Sequence, residues 1–166
     1  MTNKNPYLCI LIVGLPGSGK TTVGKILSEQ LKAVFIDADD HHSTYNIRKM
    51  SNGYPLTDLD RKNWLSSILN NAREKLKNQN VIIACSALKE KYRRFLISLN
   101  FNLVYLKIDH NVALDRIVKR KNHFMPSSLL ESQIKILEEP RTALEIDSNL
   151  TVKEISEIIT NKYGLK

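Results

Sequence analysis

The stretch that decides the fold is Gly14-Leu15-Pro16-Gly17-Ser18-Gly19-Lys20-Thr21. It fills the pattern G-x-x-x-x-G-K-[ST] of the phosphate-binding loop, or P-loop. A loop that wraps closely around a polyphosphate needs glycines, because their backbone adopts unusual dihedral angles and approaches the anion closely. We expect Lys20 to reach the β- and γ-phosphates and the Thr21 hydroxyl to bind Mg²⁺. The sequence therefore predicts that Gly14 to Thr22 bind a nucleoside triphosphate such as ATP.

The segments on both sides of this loop have the character that a P-loop requires. Leu8-Cys9-Ile10-Leu11-Ile12-Val13 is a continuous apolar run, typical of a strand buried in a parallel sheet. After the loop, apolar residues recur with helical spacing at Val23, Ile26, Leu27 and Leu31. The order strand, loop, helix brings the loop amides and the positive end of the helix to one point, where they face an anion. A glycine-rich turn without a ligand would not need this arrangement.

Size and composition favour one globular domain over residues 1–166. The chain has 42% hydrophobic and 25% charged residues, which is usual for such domains. Its apolar runs are far shorter than a membrane span, and the polar start Met1-Thr2-Asn3-Lys4-Asn5 is unlike a signal peptide. Cys9 and Cys85 each lie in an apolar run without metal-site spacing, so we expect reduced thiols in the core. These features predict a cytoplasmic protein without a membrane partner.

The net charge of +8 raises nucleic-acid binding as an alternative. However, lysines and arginines are spread along the chain with acidic residues among them, and the densest group, residues 89–94, is typical of a solvated helix face. A site for ATP and a second anion also draws cations inward. The sequence has neither a contiguous basic stripe with interleaved aromatic residues nor an RNA-binding motif. We therefore expect no nucleic-acid partner.

Further apolar runs predict the rest of the sheet. They are Val34–Ile36, Val81–Cys85, Leu103–Ile108 and Ala143–Ile146. Helical periodicity separates them, and the sequences beginning at Thr57, Ser128 and Thr151 have the pattern of helix capping boxes. Alternating strands and helices predict an α/β fold, a three-layer sandwich with a five-stranded parallel sheet and helices on both faces. Ligands bind at the carboxyl ends of such strands, so we expect site residues just after positions 13, 36, 85 and 108.

An acidic cluster, Asp37-Ala38-Asp39-Asp40, follows the second predicted strand. Three carboxylates are costly to crowd together unless a cation or a hydroxyl substrate uses them. In phosphoryl transfer, Asp37 would help to hold Mg²⁺ and Asp39 would accept the proton of the attacking hydroxyl. In an extended segment, Asp37 and Asp39 point to the same side. The alternative is that these aspartates cap the next helix, whereas zinc binding by His41 and His42 lacks a supporting ligand cluster.

Two later stretches carry a resemblance to a known family. They are Asn46 to Leu65, which contains Gly53-Tyr54-Pro55-Leu56-Thr57-Asp58-Leu59-Asp60-Arg61, and Cys85-Ser86-Ala87-Leu88-Lys89. With the aspartate pair, these stretches resemble the gluconate kinases, in which D-[AG]-D, G-x-P-L-x-D-x-D-R-x-x-W-L and C-S-A-L-K occur in this order. The resemblance extends from about residue 8 to the C-terminus. It implies a P-loop kinase-type fold, phosphorylation of D-gluconate to 6-phospho-D-gluconate by ATP and Mg²⁺, and a homodimer.

The resemblance also implies roles for individual residues. An insert at about residues 41–65 is expected to provide much of the substrate site, whose candidate residues are Asp39, His42, Lys49, Arg61, Lys62, Lys89 and His123. Positive side chains suit this role because gluconate carries a carboxylate. We expect Trp64 to pack in its helix rather than to stack on the substrate, and Tyr92 and Arg93 to be structural or solvated rather than part of the site.

A further match lies in Arg116-Ile117-Val118-Lys119-Arg120-Lys121-Asn122-His123-Phe124. It is similar to R-x-x-x-R-x-G-H-F, the start of a mobile lid, here about residues 121–140, that closes over ATP in this family. Arg116 and Arg120 lie on one helix face and can neutralise charge on the transferring phosphoryl group, so that Lys20, Asp39 and Arg120 are the expected catalytic residues. The alternative is that both arginines are solvated helix charges. The chain departs from the family pattern at Asn122, in place of a lid glycine, and at Ser43 and Asn63, in place of prolines.

Two other functions remain open at this point. One is another small-molecule kinase of the same fold, acting on shikimate or a nucleoside monophosphate, and the other is a nucleotide-dependent RNA-binding module. Shikimate kinases also carry D-x-D after the second strand, so the aspartate pair alone does not distinguish them. The insert and C-S-A-L-K favour gluconate.

Overall fold

The central sheet has five parallel strands. The computed structural model describes residues 6–121 and 123–165. Its strands are β1 (Cys9–Val13), β2 (Val34–Asp37), β3 (Val81–Ala84), β4 (Asn102–Lys107) and β5 (Leu144–Asp147). They pair in the order β2-β3-β1-β4-β5, with every pairing parallel. The predicted α/β fold with a five-stranded parallel sheet is confirmed, and each predicted strand bound lies within one residue of the observed one.

The helices connect these strands. They are α1 (Lys20–Gln30), α2 (Thr44–Ser51), α3 (Asp58–Lys75), α4 (Glu90–Phe95), α5 (His110–Val118), α6 (Leu130–Ile136) and α7 (Val152–Tyr163). Short 3₁₀ helices cover Ala38–His41, Ile97–Leu99 and Ser127–Leu129. The insert of residues 41–65 thus consists of α2, the turn after it and the first half of α3.

Both faces of the sheet are covered, because successive side chains of a strand point to opposite sides. Leu11 of β1 packs in an apolar cluster with Ile68 of α3. Its neighbour Ile10 packs in a second cluster with Leu27 of α1 and Ile159 of α7. Helices therefore flank the sheet on two sides, as a three-layer sandwich requires.

The helix starts test the predicted capping boxes. At Thr57 and Thr151 both reciprocal hydrogen bonds of a capping box are present. The box predicted at Ser128 is wrong, because residues 127–129 already form a 3₁₀ helix that runs into α6. The residue at the start of α6 is Leu129, without a side-chain cap. Ser128 therefore lies inside a helical turn rather than ahead of one.

The two cysteines are free and buried, as expected. Burial raises the pKa of the Cys9 thiol and of the Cys85 thiol to about 12, so both stay protonated at neutral pH. Over residues 6–121 and 123–165, no helix has the length and apolar character needed to cross a membrane.

Candidate active site

The P-loop follows β1 and lies directly against the body of the protein. Gly14 has a φ of +151°, and a Cβ there would lie 2.6 Å from the carbonyl oxygen of Leu106 in β4. Gly17 has a φ of +86°, and its Cβ would lie 3.0 Å from the carbonyl oxygen of Ala113 in α5. Both positions therefore require glycine, for dihedral angle and for space. The loop is held close to β4 and α5, with α1 beginning at its end.

Lys20 and Ser18 have polar groups that suit an anion in this loop. The Lys20 ammonium donates hydrogen bonds to the carbonyl oxygens of Gly14 and Leu15, at 2.9 Å each. Burial lowers the pKa of Lys20 to about 8, although the charge of Asp39 opposes this shift. The Ser18 hydroxyl is buried and has no hydrogen-bond partner among the described residues. A polyphosphate would supply acceptor oxygens for such donors and negative charge for the lysine.

Asp37 connects the P-loop to the acidic cluster. Its Oδ2 accepts a hydrogen bond from the Thr21 hydroxyl at 2.8 Å, and its Oδ1 accepts one from the backbone N–H of Asp39 at 3.0 Å. The expectation of an extended segment here is wrong, because Asp37 is the N-cap of the 3₁₀ helix Ala38–His41. The capping alternative therefore holds for Asp37. The same carboxylate also reaches Thr21.

The pair Thr21 and Asp37 fits a magnesium ion. Mg²⁺ prefers oxygen ligands, takes few of them from the protein and completes its shell with water and phosphate oxygens. A hydroxyl and a carboxylate oxygen lie side by side at this point of the loop. Within residues 6–121 and 123–165 there is no group of three or more His, Cys, Asp or Glu that could hold a metal ion by itself. The donor set suits an ion that arrives with a nucleotide.

Asp39 faces the P-loop from the other side of the cavity. His123 Nδ1 accepts a hydrogen bond from the backbone N–H of Met125 at 3.1 Å, so its proton is on Nε2 and is donated to Asp39 Oδ2 at 3.3 Å. Burial alone would raise the pKa of Asp39, but this hydrogen bond and the charge of Lys20 outweigh it and lower the pKa below its ordinary value. Asp39 is therefore ionised at neutral pH and is able to accept a proton.

His42 and Trp64 form the wall beside Asp39. Their rings stack with centroids 4.6 Å apart and planes 7° from parallel. Burial lowers the pKa of His42 to about 4, so the ring is neutral at pH 7. Trp64 is 3% exposed, and its Nε1–H donates to the carbonyl oxygen of Ala38 at 2.6 Å. The packing role expected for Trp64 agrees with this burial, and its ring also lines the cavity behind His42.

The structure separates the cations of the insert into two groups. Arg61 is 7% exposed, lines the cavity and donates to the carbonyl oxygens of Leu56 and Thr57. Three other lysines proposed from the sequence do not line the cavity. Lys49 pairs with Asp60 at 2.7 Å, Lys89 pairs with Asp58 at 2.9 Å, and Lys62 is exposed on α3. Acidic residues in the first turn of α3 thus hold two of the lysines away from the cavity.

Arg116 and Arg120 both line the cavity on the side of the P-loop. Arg116 donates to the carbonyl oxygen of Gly17 at 3.2 Å and to that of Ser148, after β5, at 3.3 Å. Arg120 lies two residues beyond the end of α5, so the expectation that both arginines lie on one helix face is wrong. It is exposed and close enough to Lys20 for its charge to lower the pKa of that lysine, although burial has the larger effect. Both arginines therefore stand beside the phosphate-binding side of the cavity.

Together these residues line one cavity of about 300 Å³ between the P-loop, the insert and the segment after α5. It includes most of the predicted site residues, namely Pro16, Gly17, Gly19, Lys20, Thr21, Thr22, Asp37, Asp39, His42, Arg61, Arg116, Arg120 and His123. Gly14, Leu15 and Ser18 belong to the same loop behind this surface. Tyr92 and Arg93 are buried at the start of α4, and Arg93 donates to three backbone carbonyls, so of the two expected roles the structural one holds and the solvated one is wrong.

Sequence reasoning missed several residues of the cavity wall. They are Met50, Leu56, Ala84, Ser86, Phe124, Met125 and Gln133. Met50 and Leu56 of the insert pack with Met125 and Leu129 in an apolar cluster, against which Phe124 also packs. The Ser51 hydroxyl donates to the carbonyl oxygen of Phe124 at 3.1 Å. Met50, Leu56 and Phe124 are apolar residues of the stretches quoted above, and this was the signal that could have identified them as part of the wall. Asn122, the departure from the lid pattern, lies outside the described residues.

Several known proteins similar to this chain are gluconokinases. A family model described as an AAA domain matches residues 10–134. A probable gluconokinase of Dictyostelium discoideum is 41% identical, with 95% of this chain and 87% of that protein covered. The thermosensitive gluconokinase of Escherichia coli K12 is also 41% identical, with 89% and 82% covered. The solved structure of a gluconokinase from Sinorhizobium meliloti 1021 has a TM-score of 0.78 and 35% identity, with 97% of this chain and 98% of that chain covered.

The shikimate kinases are more distant. The structure of the Aquifex aeolicus shikimate kinase has a TM-score of 0.66 and 22% identity, with 95% of this chain and 96% of that chain covered. At that identity the likeness shows the fold alone. The gluconokinases named above are 35% to 41% identical and cover most of this chain. This chain therefore belongs to the gluconokinase family.

Proposed function

We propose that this chain transfers the γ-phosphoryl group of ATP to the terminal hydroxyl of D-gluconate, with ADP and 6-phospho-D-gluconate as products. The observation that carries the proposal is the placement of Asp39 and Lys20 in one cavity whose other wall is the family's insert. The membership of the gluconokinase family supports gluconate as the acceptor. The alternatives of a shikimate or nucleoside monophosphate kinase and of an RNA-binding module have no comparable support.

The P-loop would hold the triphosphate. Its backbone amides and the start of α1 face the phosphates, and Lys20 shifts from the loop carbonyls to the β- and γ-phosphate oxygens. Arg116 and Arg120 stand where they can neutralise the charge that develops on the transferring group. Thr21 and Asp37 would hold Mg²⁺, directly or through water. When bound, this ion supplies positive charge that neutralises the phosphate oxygens.

Asp39 would act as the base. It accepts the proton of the attacking hydroxyl, whose oxygen forms a bond to the γ-phosphorus while the bond from that phosphorus to the bridging oxygen of ADP breaks. The lowered pKa of Asp39 keeps it ionised and ready to accept this proton. Positioning of the two reactants can contribute about 7–11 kcal/mol of the barrier reduction.

His42, Arg61 and His123 would hold the sugar acid. Arg61 is the cation of the insert that the structure brings to the cavity, which makes it our candidate for the carboxylate of gluconate. The neutral His42 ring would contact the hydroxyl chain. Lys49, Lys62 and Lys89 reach the substrate only if they leave their observed positions. We therefore place them after Arg61 as candidates for binding the carboxylate.

We further propose that residues 121–140 act as a lid that closes over ATP, that the protein works in the cytoplasm, and that it forms a homodimer. The lid proposal is supported by the apolar contact of this segment with the insert. The dimer and the cytoplasmic location rest on the family resemblance and on composition.

A coupled assay of ADP release tests the function. We expect turnover with D-gluconate and at most trace turnover with shikimate, other sugar acids or nucleoside monophosphates. Asp39→Asn should lower kcat by about 1,000-fold or more, because the base is lost, while the unfolding temperature is unchanged. Near-normal turnover of Asp39→Asn would remove Asp39 from its role, and a preference for another acceptor in the panel would overturn gluconate.

A further inference from the structure

Four aromatic rings form a continuous stack along the wall of the cavity. His123 stacks on Phe124 with centroids 4.4 Å apart, and Phe124 meets His42 in a T-shaped contact with centroids 5.9 Å apart. His42 in turn stacks on Trp64 at 4.6 Å. We call these four residues the aromatic stack. It joins the segment after α5 to the insert and to the middle of α3.

Both ends of the aromatic stack donate hydrogen bonds to neighbouring residues of the 3₁₀ helix Ala38–His41. Trp64 Nε1–H donates to the carbonyl oxygen of Ala38 at 2.6 Å. His123 Nε2–H donates to Oδ2 of Asp39 at 3.3 Å. The stack and the peptide between Ala38 and Asp39 therefore form a closed ring of contacts, of which Asp39 is one member.

The contacts of Asp39 explain why such a ring would matter. Its backbone N–H is fixed by Asp37, but its carboxylate sits on a side chain that is 47% exposed to the cavity. Among the described residues, His123 is the side chain that hydrogen-bonds this carboxylate. The direction of the carboxylate therefore depends on His123, and His123 in turn lies against Phe124.

We propose that the aromatic stack positions the Asp39 carboxylate, so that the base is aligned only while Phe124 lies between His123 and His42. This inference rests on the proposed role of Asp39 as the base. Phe124 and His123 are then positioning residues that link the proposed lid to the proton acceptor. Oδ1 of Asp39 stays available to the substrate hydroxyl while His123 holds Oδ2. ATP that binds while the segment is displaced meets an unaligned base.

Contacts of the segment with the insert support this link. Phe124 packs against the apolar cluster of Met50, Leu56, Met125 and Leu129, and its carbonyl oxygen accepts a hydrogen bond from Ser51. The side chain and the backbone of Phe124 are thus both fixed by the insert. A residue held this way transmits the position of the insert to His123 and Asp39.

Paired variants separate the ring from the hydrogen bond. Phe124→Leu removes the ring and keeps apolar volume, whereas Phe124→Tyr keeps the ring. His123→Leu removes the donor, whereas His123→Gln keeps an N–H at similar reach. Phe101→Leu is the matched control, because that half-buried ring packs on the core cluster of β1 and α3, away from Asp39.

The readouts are kcat and KM for gluconate, and the dissociation constant of an ATP analogue. We expect Phe124→Leu and His123→Leu to lower kcat by about 10- to 100-fold through misplacement of the base. Affinity for the analogue should stay within about two-fold, since P-loop contacts are unchanged. Phe124→Tyr and His123→Gln should recover most of kcat, and Phe101→Leu should match the wild type.

Two results overturn the inference. One is a kcat of Phe124→Leu and His123→Leu within about two-fold of the wild type. The other is a rise in KM for gluconate with kcat unchanged, which would leave His123 with its proposed substrate contact alone and Phe124 without a positioning role. If Phe124→Leu does not fold by circular dichroism, the His123 pair decides by the same criteria. If Asp39→Asn is inactive while the variants of the aromatic stack have normal activity, only this inference fails. If Asp39→Asn is active, the proposed role of Asp39 as the base fails.

Discussion

The two sides of the cavity are built in different ways. The phosphate side comes mainly from one contiguous stretch, Gly14 to Thr22, in which Gly14 lies against β4 and Gly17 lies against α5. The acceptor side comes from separate segments, which are the 3₁₀ helix after β2, the insert and residues 123–125. Spacing in the sequence therefore determines the first side, and contacts between distant residues determine the second. We therefore expect mutations on the two sides to change different kinetic parameters.

The largest expected effect is on the phosphate side. Lys20→Ala should lower kcat/KM for ATP by about 1,000-fold or more, because the buried ammonium that meets the phosphates is lost. Lys25→Ala is the matched control, since Lys25 is exposed on the same helix. Steady-state kinetics at saturating gluconate measure both variants. If Lys20→Ala is as active as Lys25→Ala, the buried Lys20 ammonium does not bind the phosphates.

A smaller effect is expected from the cations of the acceptor side. Arg61→Leu should raise KM for gluconate by about 10- to 100-fold, because a hydrogen-bonded charge facing the carboxylate is lost. Lys62→Leu, one residue along α3 and exposed, should stay within about two-fold. Kinetics with varied gluconate at saturating ATP separate them. The division of the insert cations is contradicted if Lys62→Leu has the larger effect.

The smallest expected effect concerns stability in acid. Asp60 accepts hydrogen bonds from Lys49 and Thr57, and these lower its pKa from 3.8 to about 2. A lowered carboxylate pKa stabilises the folded state above the unfolded pKa, and this contribution is lost as the pH falls through the folded pKa. Asp60→Ala should therefore reduce the free energy of unfolding by about 1 kcal/mol at pH 7, as the loss of a cap does.

Urea unfolding between pH 7 and pH 2 measures this prediction. The difference between Asp60→Ala and the wild type should shrink as the pH approaches 2. Asp115→Asn serves as the control, because its ion pair with Lys119 is exposed on both sides and should contribute little at any pH. A difference for Asp60→Ala that is independent of pH would show that the ionised carboxylate is not the source of the stability.

Sequence alone predicted the sheet and the P-loop because both depend on local patterns. Apolar runs gave the strands to within one residue, and the spacing of Gly14, Gly19 and Lys20 gave the loop. It was less informative about the acceptor side, where the charge of Lys49 and of Lys89 indicated substrate ligands. The sequence identifies their partners Asp60 and Asp58 only as residues at the start of a helix. No local pattern indicates that these aspartates face the two lysines.

The aromatic stack could not be predicted for the same reason. Phe124 lies far along the chain from His42 and Trp64, and the pattern around it predicts only the start of a lid. The interpretation of Asp37 and Asp39 as an extended pair also failed, since a 3₁₀ helix begins at Ala38. The chemical roles proposed for these aspartates do not depend on the extended geometry, because the fold brings both carboxylates to the cavity.

The absence of space at Gly14 has a consequence for how proteins of this kind can diversify. A methyl group there would meet the main chain of β4, so the nucleotide-binding loop packs directly against the sheet and tolerates little change. The acceptor wall touches that scaffold mainly through side chains, which can be exchanged singly. New acceptors are therefore accessible through substitutions in the wall, while the energy-supplying half of the reaction is inherited intact.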